Sequence, residues 1–129
     1  MSMSRLEAVL TMINEQTSAA NQQIDKAEQF ASRTESLRVV GESRDHLAQV
    51  TVDGVGQMVD LAFGDGFARA SADEVRTAVL TAHVQAKQKL TNRVREIGTE
   101  IYGSGSSAVD LVADSYESRY GSYDEEEDR

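Results

Sequence analysis

The stretch Val50-Thr51-Val52-Asp53-Gly54-Val55-Gly56-Gln57-Met58-Val59-Asp60-Leu61 decides the fold. Apolar and polar residues alternate on both sides of Asp53-Gly54, and this arrangement is a strong signal of a β-hairpin. A further short β-branched segment, Leu37-Arg38-Val39-Val40, lies just upstream. We therefore predict three strands that pair antiparallel as a meander, at residues 36–42, 46–53 and 57–63.

One face of this predicted sheet is apolar. Its members are Val50, Val52, Val59, Leu61 and Phe63. Three strands alone cannot bury such a face, so a helix or a second sheet should cover it. The unpaired edges of a small sheet also favour pairing with another copy of the chain.

A long helix is predicted before the sheet. Leu6, Leu10 and Ile13 begin a stripe that continues at alternating spacings of four and three residues as far as Ala31, with Thr17 as its one polar member. This repeat of about 3.5 residues places the stripe on one helical face. A helix of roughly 25–30 residues is about 40 Å long, so the stripe needs a partner helix from the same chain or from a second one.

A second long helix is predicted after the sheet. Ser71-Ala72-Asp73-Glu74 has the pattern of a capping box, and the helix should run to about Tyr102, where Gly103-Ser104-Gly105-Ser106-Ser107 stops it. Residues 108–120 are compatible with a short third helix, and we expect the last nine residues to be disordered. The predicted organisation is a domain at residues 1–103 and an acidic, mostly disordered tail at residues 104–129.

Composition limits the chemistry of the chain. It has 129 residues with no Cys, Trp or Pro, which removes disulfides, thiol catalysis and cysteine zinc sites. No apolar window is long enough for a membrane span and no secretory leader is visible, so we expect a cytoplasmic protein that does not associate with membranes. We identify no catalytic, cofactor or metal site. The net charge is −9, of which −6 lies in residues 104–129, with two basic and eight acidic residues.

The order of the predicted elements and the hairpin motif resemble the YbaB/EbfC family of bacterial nucleoid-associated proteins. Val50–Leu61 is similar to the V-T-V-[ND]-G-x-G-x-[VL] hairpin of that family, and Ala86-Lys87-Gln88-Lys89 lies on a similar helix. The resemblance covers residues 5–102. It implies an α+β dimer with joined sheets and projecting helices, which binds duplex DNA with little sequence preference and has no enzymatic activity. It also implies a cytoplasmic, nucleoid-associated location.

Two sets of residues carry the predicted contacts. For the homodimer interface we predict Leu6, Leu10, Ile13, Val50, Val52, Val59 and Leu61. For DNA binding we predict the cations of the second long helix, which are Arg76, Lys87, Lys89, Arg93 and Arg95. On a helical projection Lys89 and Arg93 lie on one flank of its apolar stripe, Arg76 and Lys87 on the other, and Arg95 roughly opposite.

Alternative interpretations of these features stay open. The cations can contact phosphates, or they can cover the edge of the apolar stripe with their aliphatic stems and keep it soluble. The acidic tail can solvate the chain, compete with DNA for the cations, or carry the Tyr-x-x-x-Asp/Glu pattern of type VII secretion signals at Tyr120–Asp124. The resemblance also supplies a rival function, because some members of the family are encoded with type VII secretion systems and act through protein partners: a protein-interaction module or chaperone associated with such a system. His83 falls near the apolar stripe, and we expect it to be a packed or interface residue.

Overall fold

The computed structural model describes residues 2–123 and has an α+β fold. Its elements in chain order are α1 (Ser2–Glu35), β1 (Val39–Glu42), β2 (Ala48–Val52), β3 (Met58–Phe63), a short 3-10 helix (Asp65–Arg69), α2 (Ala72–Tyr102) and α3 (Ser107–Tyr120). The predicted order of a long helix, three strands and a long helix is confirmed. The strands are shorter than predicted, and β1 begins at Val39 because the Leu37 N–H still donates to the Thr34 carbonyl at the end of α1 (3.2 Å).

The three strands form an antiparallel sheet with β2 in the centre. Val39 pairs with Val52 at one end of the β1–β2 ladder, and Ala48 pairs with Phe63 at one end of the β2–β3 ladder. A register shift between Thr51 and Val52 inserts one extra β3 residue, Val59, as a bulge. The sheet is therefore the predicted meander with one local irregularity.

The β2–β3 hairpin turns through a longer loop than Asp53-Gly54 suggests. The Asp53 N–H donates to the Gln57 carbonyl (2.9 Å), and the Asp53 carboxylate accepts from the N–H groups of Val55 and Gln57 (3.0 Å each). A two-residue turn of the predicted kind needs positive φ at both central positions. Here the residue with positive φ is Gly56, at 84°, and not Gly54. The motif therefore located the hairpin correctly but not the residue at which the chain turns with positive φ.

Helix α2 packs on β1 and β2 through small residues. Ala78, Ala82 and Ala86 are buried along the side of the helix that meets the sheet. A Cβ atom at Gly41 would lie 2.2 Å from the Ala82 carbonyl oxygen and 2.4 Å from the Ala86 nitrogen. The helix backbone and strand β1 therefore approach too closely for any residue other than glycine at position 41.

Strand β3 is left uncovered by this arrangement. Val50 and Val52 on β2 are fully buried in the core with α2, whereas all six residues of β3 are exposed. Val59 and Leu61 retain 47% and 38% of their accessible surface. The structure thus corrects the prediction for Val50 and Val52: α2 of the same chain already covers them, so they have no surface to offer a second copy.

Helix α1 packs on the rest of the chain only at its C-terminal end. Phe30 stacks against Tyr102 with ring centroids 6.3 Å apart, and Arg33 forms an ion pair with Glu100 (2.5 Å). Residues 4–25 are all exposed. The apolar stripe that begins at Leu6, Leu10 and Ile13 therefore lies on a helix that projects from the body with no partner within residues 2–123; these three side chains are 50–56% exposed.

Helix α3 corrects the prediction that residues 104–129 are mostly disordered. Ser107–Tyr120 is helical, as expected for a third short helix, and it buries Val109, Ala113 and Tyr116 against the body. The physical reason is their spacing, which gives a short helix one apolar face to pack on α2. Of the last nine residues, for which disorder was expected, 124–129 lie outside the described residues.

We expect Gly41→Ala to lower the free energy of unfolding by about 1–3 kcal/mol, because the added methyl group overpacks a contact between two backbones. Urea unfolding followed by circular dichroism measures this. Gly66→Ala is the matched control, since its Cβ would meet only the Leu47 Cδ1 atom at 3.7 Å. Equal stability losses in the two variants would contradict the close packing of α2 on β1.

Candidate nucleic-acid interface

The five predicted DNA-binding cations all lie on α2. The helix begins at a capped end, where the Ser71 hydroxyl accepts a hydrogen bond from the Glu74 N–H (3.1 Å), as the capping-box pattern predicts. It then runs without interruption to Tyr102. At 1.5 Å per residue, Arg76 and Arg95 are about 28 Å apart along the axis. One rigid element therefore sets the spacing of these cations.

Two of the cations pair with acidic residues one turn away on the same helix. Arg76 lies 3.9 Å from an Asp73 oxygen, and its side chain is 72% exposed. Arg93 donates to Glu96 at 2.6 Å and is 43% exposed. Exposed ion pairs of this kind hold their partners weakly, so both guanidinium groups remain available to an incoming anion.

The other three cations are contacted by residues 107–123, which we call the C-terminal segment. The Lys87 Nζ atom lies 6.0 Å from the centre of the Tyr120 ring, and the Lys89 Nζ atom lies 4.8 Å from the centre of the Tyr123 ring. Both are cation–π distances. Arg95 donates to Glu117 at 3.1 Å. These contacts group the cations differently from the two predicted flanks: Lys87, Lys89 and Arg95 contact the C-terminal segment, whereas Arg76 and Arg93 pair within α2.

Two tyrosines fasten this segment to the β2–β3 hairpin. The buried Tyr116 hydroxyl donates to the Gly54 carbonyl (2.9 Å), and the Tyr120 hydroxyl donates to the Val55 carbonyl (2.7 Å). The Tyr120 ring also lies against Gly56, where an added Cβ would come within 3.0 Å of it. The hairpin that decides the fold thus also holds α3 in place.

The sequence analysis did not predict that Tyr116 and Tyr120 pack on the body, although the spacing of apolar residues indicates it. Val109, Ala113, Tyr116 and Tyr120 follow one another at spacings of four, three and four residues, the same repeat that identified α1. The acidity and serine content of this region favoured disorder. The spacing of its few apolar residues was the better guide to a packed helix.

Burial changes the chemistry of the Tyr116 hydroxyl. Loss of solvent raises the pKa of Tyr116 above its ordinary value of 10.0, and this effect outweighs the nearby Arg119 guanidinium, which lowers it. The guanidinium carbon lies 5.0 Å from the centre of the Tyr116 ring. The neutral hydroxyl is therefore the form that the folded chain favours, as its hydrogen bond to Gly54 requires.

His83 is half-buried beside the same hairpin, with its Nε2 atom 3.4 Å from the Gly56 carbonyl oxygen. It is a packed residue, as predicted from its position near the apolar stripe. Within residues 2–123, no group of three or more His, Asp or Glu side chains is arranged to hold a metal ion. No helix in that range is long and apolar enough to cross a membrane.

A projecting helix, a three-stranded meander and a long cation-bearing helix define a small α+β protein of the helix–meander–helix class. Comparison with protein families identifies it more closely: the chain belongs to the YbaB/EbfC DNA-binding family, whose model matches residues 10–105. Comparison with curated proteins gives no match. The family therefore supplies the DNA-binding assignment, and the geometry above shows how the cations are presented.

We expect the free energy of unfolding to fall less steeply with rising pH in Tyr116→Phe than in the wild type. Between 10.0 and its raised pKa, Tyr116 keeps a proton in the folded chain that the unfolded chain has lost, so the free energy of unfolding falls as pH rises through this range. Phenylalanine has no such proton. Urea unfolding at about pH 8 and about pH 11 compares the two proteins, and an equally steep fall in both would contradict the burial of this hydroxyl.

Proposed function

We propose that this protein is a non-enzymatic, nucleoid-associated DNA-binding protein that acts as a homodimer in the bacterial cytoplasm and has little sequence preference. The observation that carries the proposal is the presence, in a member of a DNA-binding family, of five cations along one rigid helix. Because Lys and Arg side chains neutralise the phosphates that every duplex presents, this contact does not depend on base sequence.

The charge distribution supports this contact despite the acidic chain. Residues 1–103 carry a net charge of −3 with eleven basic and fourteen acidic residues, so the body is close to balanced. Arg76 and Arg93 keep exposed guanidinium groups at two points of α2. A phosphate needs only to replace a weak intrahelical partner at each of them.

The uncovered apolar surfaces support a homodimer. Leu6, Leu10 and Ile13 on α1 are exposed, and so are Val59 and Leu61 on β3. An exposed strand edge and an exposed helical stripe are both surfaces that a second copy can cover. We propose that these five residues form the interface, with joined sheets and projecting helices, and that the dimer doubles the number of cations that face DNA.

A protein partner is the second candidate function. The observation in its favour is that every cation of the proposed site already has an acidic or aromatic neighbour within the chain, while the stripe on α1 is free to hold the helix of another protein. The Tyr-x-x-x-Asp pattern that suggested type VII secretion ends at Asp124, which lies outside the described residues. An assay on random duplex DNA separates the two functions.

We expect replacement of Lys87, Lys89 and Arg93 with Gln to weaken binding to duplexes of any sequence. The slope of log affinity against log salt should become shallower by about 0.9 for each phosphate that the variant no longer neutralises. Mobility shifts at about 50 mM and about 200 mM salt give this slope for the wild type and the variant.

The control is replacement of Arg5 and Lys26 with Gln, which removes cations from α1. Binding should change little, because these residues lie outside the proposed site. An equal loss of binding free energy per removed charge in the two variants would show that net charge alone governs binding. No shift by the wild type at low salt would favour a protein partner.

A further inference from the structure

We propose that α3 is an autoinhibitory cover, which DNA must displace before it reaches Lys87, Lys89 and Arg95. This inference rests on the proposed DNA-binding function and concerns the regulation of that same site. The element that competes with DNA is then a folded helix, α3, which lies against the cations, and not a disordered acidic tail.

The C-terminal segment contacts each of these three cations. Glu117 supplies Arg95 with the anionic oxygen that a phosphate would otherwise supply, at 3.1 Å. The Tyr120 and Tyr123 rings lie over Lys87 and Lys89. The Tyr123 carbonyl also accepts from the Asn92 side chain (2.8 Å). The C-terminal segment therefore contacts α2 between Lys89 and Arg95 as well.

Duplex DNA and the docked segment cannot share this face. The rings and backbone occupy the space next to the cations, and Asp110, Asp114 and Glu117 add negative charge on α3 itself. Residues 104–129 together carry −6. A phosphate backbone brought beside them meets like charges, so binding of DNA and docking of α3 oppose each other.

The construction of α3 allows it to open. It has 14 residues, which is marginal for a helix without tertiary support, and three of them are buried. The connection to α2 contains Gly103 and Gly105, both with positive φ and both in open space. Its ion pair with Arg95 is solvent-exposed, at 41% and 47% of the two side chains. Opening therefore breaks the packing of these three side chains and the two tyrosine hydrogen bonds, and Gly103 and Gly105 are the residues at which the connection can bend.

A disulfide can test the cover in the closed state, because the chain has no other cysteine. An ideal Cβ at Gly98 lies 3.5 Å from the Val109 Cβ, which suits a disulfide bond. Gly98→Cys with Val109→Cys should therefore lock α3 on α2 when oxidised. We expect the oxidised protein to bind duplex DNA more weakly than the same protein after reduction, while the wild type is unaffected by the reductant.

Tyr116→Ala tests the open state, since it removes the hydrogen bond to Gly54 and the largest buried side chain of α3 without changing charge. Apparent affinity scales with the fraction of molecules in the competent state, so binding should tighten by about threefold or more. Leu111→Ala is the control on the same helix, because its side chain is 74% exposed, and it should bind as the wild type does. If thermal melts show that Tyr116→Ala is unfolded, Tyr120→Ala takes its place.

The outcomes separate the two proposals. Affinities that rise from the oxidised lock to the wild type to the opened variant support the cover. Equal, measurable affinities in all three overturn it and leave the DNA-binding function standing. No binding by any of them at low salt, the opened variant included, overturns the DNA-binding function itself and the cover with it.

Discussion

The close approach of α2 to β1 at Gly41 fixes which strands of the sheet the helix covers. Because Gly41 has no side chain, α2 lies directly on β1 and β2. The small alanine side chains on the face of α2 that meets the sheet allow the two backbones to approach closely. A single helix fixed over two strands cannot also shield the third. The exposure of β3 is a consequence of this placement, and together with the exposed stripe of α1 it leaves the chain with apolar surface that a second copy can cover.

Helix α3 packs closely on another side of α2, and a second glycine, Gly98, permits this contact. Gly98 admits Val109 of α3 so closely that a Cβ there would lie 3.0 Å from the Val109 Cγ1 atom. Helix α2 is therefore held between the sheet and α3, and its cations emerge at the edges of these two contacts. Carboxylates of Asp73, Glu96 and Glu117 pair with three of these cations, and tyrosine rings lie near the other two.

Local patterns predicted much of this fold, and tertiary contacts account for what they missed. The 3.5-residue repeat of α1, the capping box at Ser71 and the alternation around Asp53-Gly54 are properties of neighbouring residues, and each gave the correct element. The burial of Val50 and Val52 depends on which strands α2 covers. The docking of Tyr116 depends on a carbonyl 62 residues away in sequence. No local sequence pattern specifies contacts between residues so far apart in the chain. The sequence therefore could not show which cations contact the C-terminal segment.

We propose that the surface left open on α1 and β3 belongs to an interface between two copies of this chain. Light scattering of the full-length protein at micromolar concentration tests it most directly. We expect a particle of about twice the chain mass of 14.1 kDa. Leu61→Glu, which places a charge on the uncovered face, should reduce it to one chain mass, whereas Leu111→Glu on the exposed face of α3 should not. A wild-type mass of 14.1 kDa would contradict it.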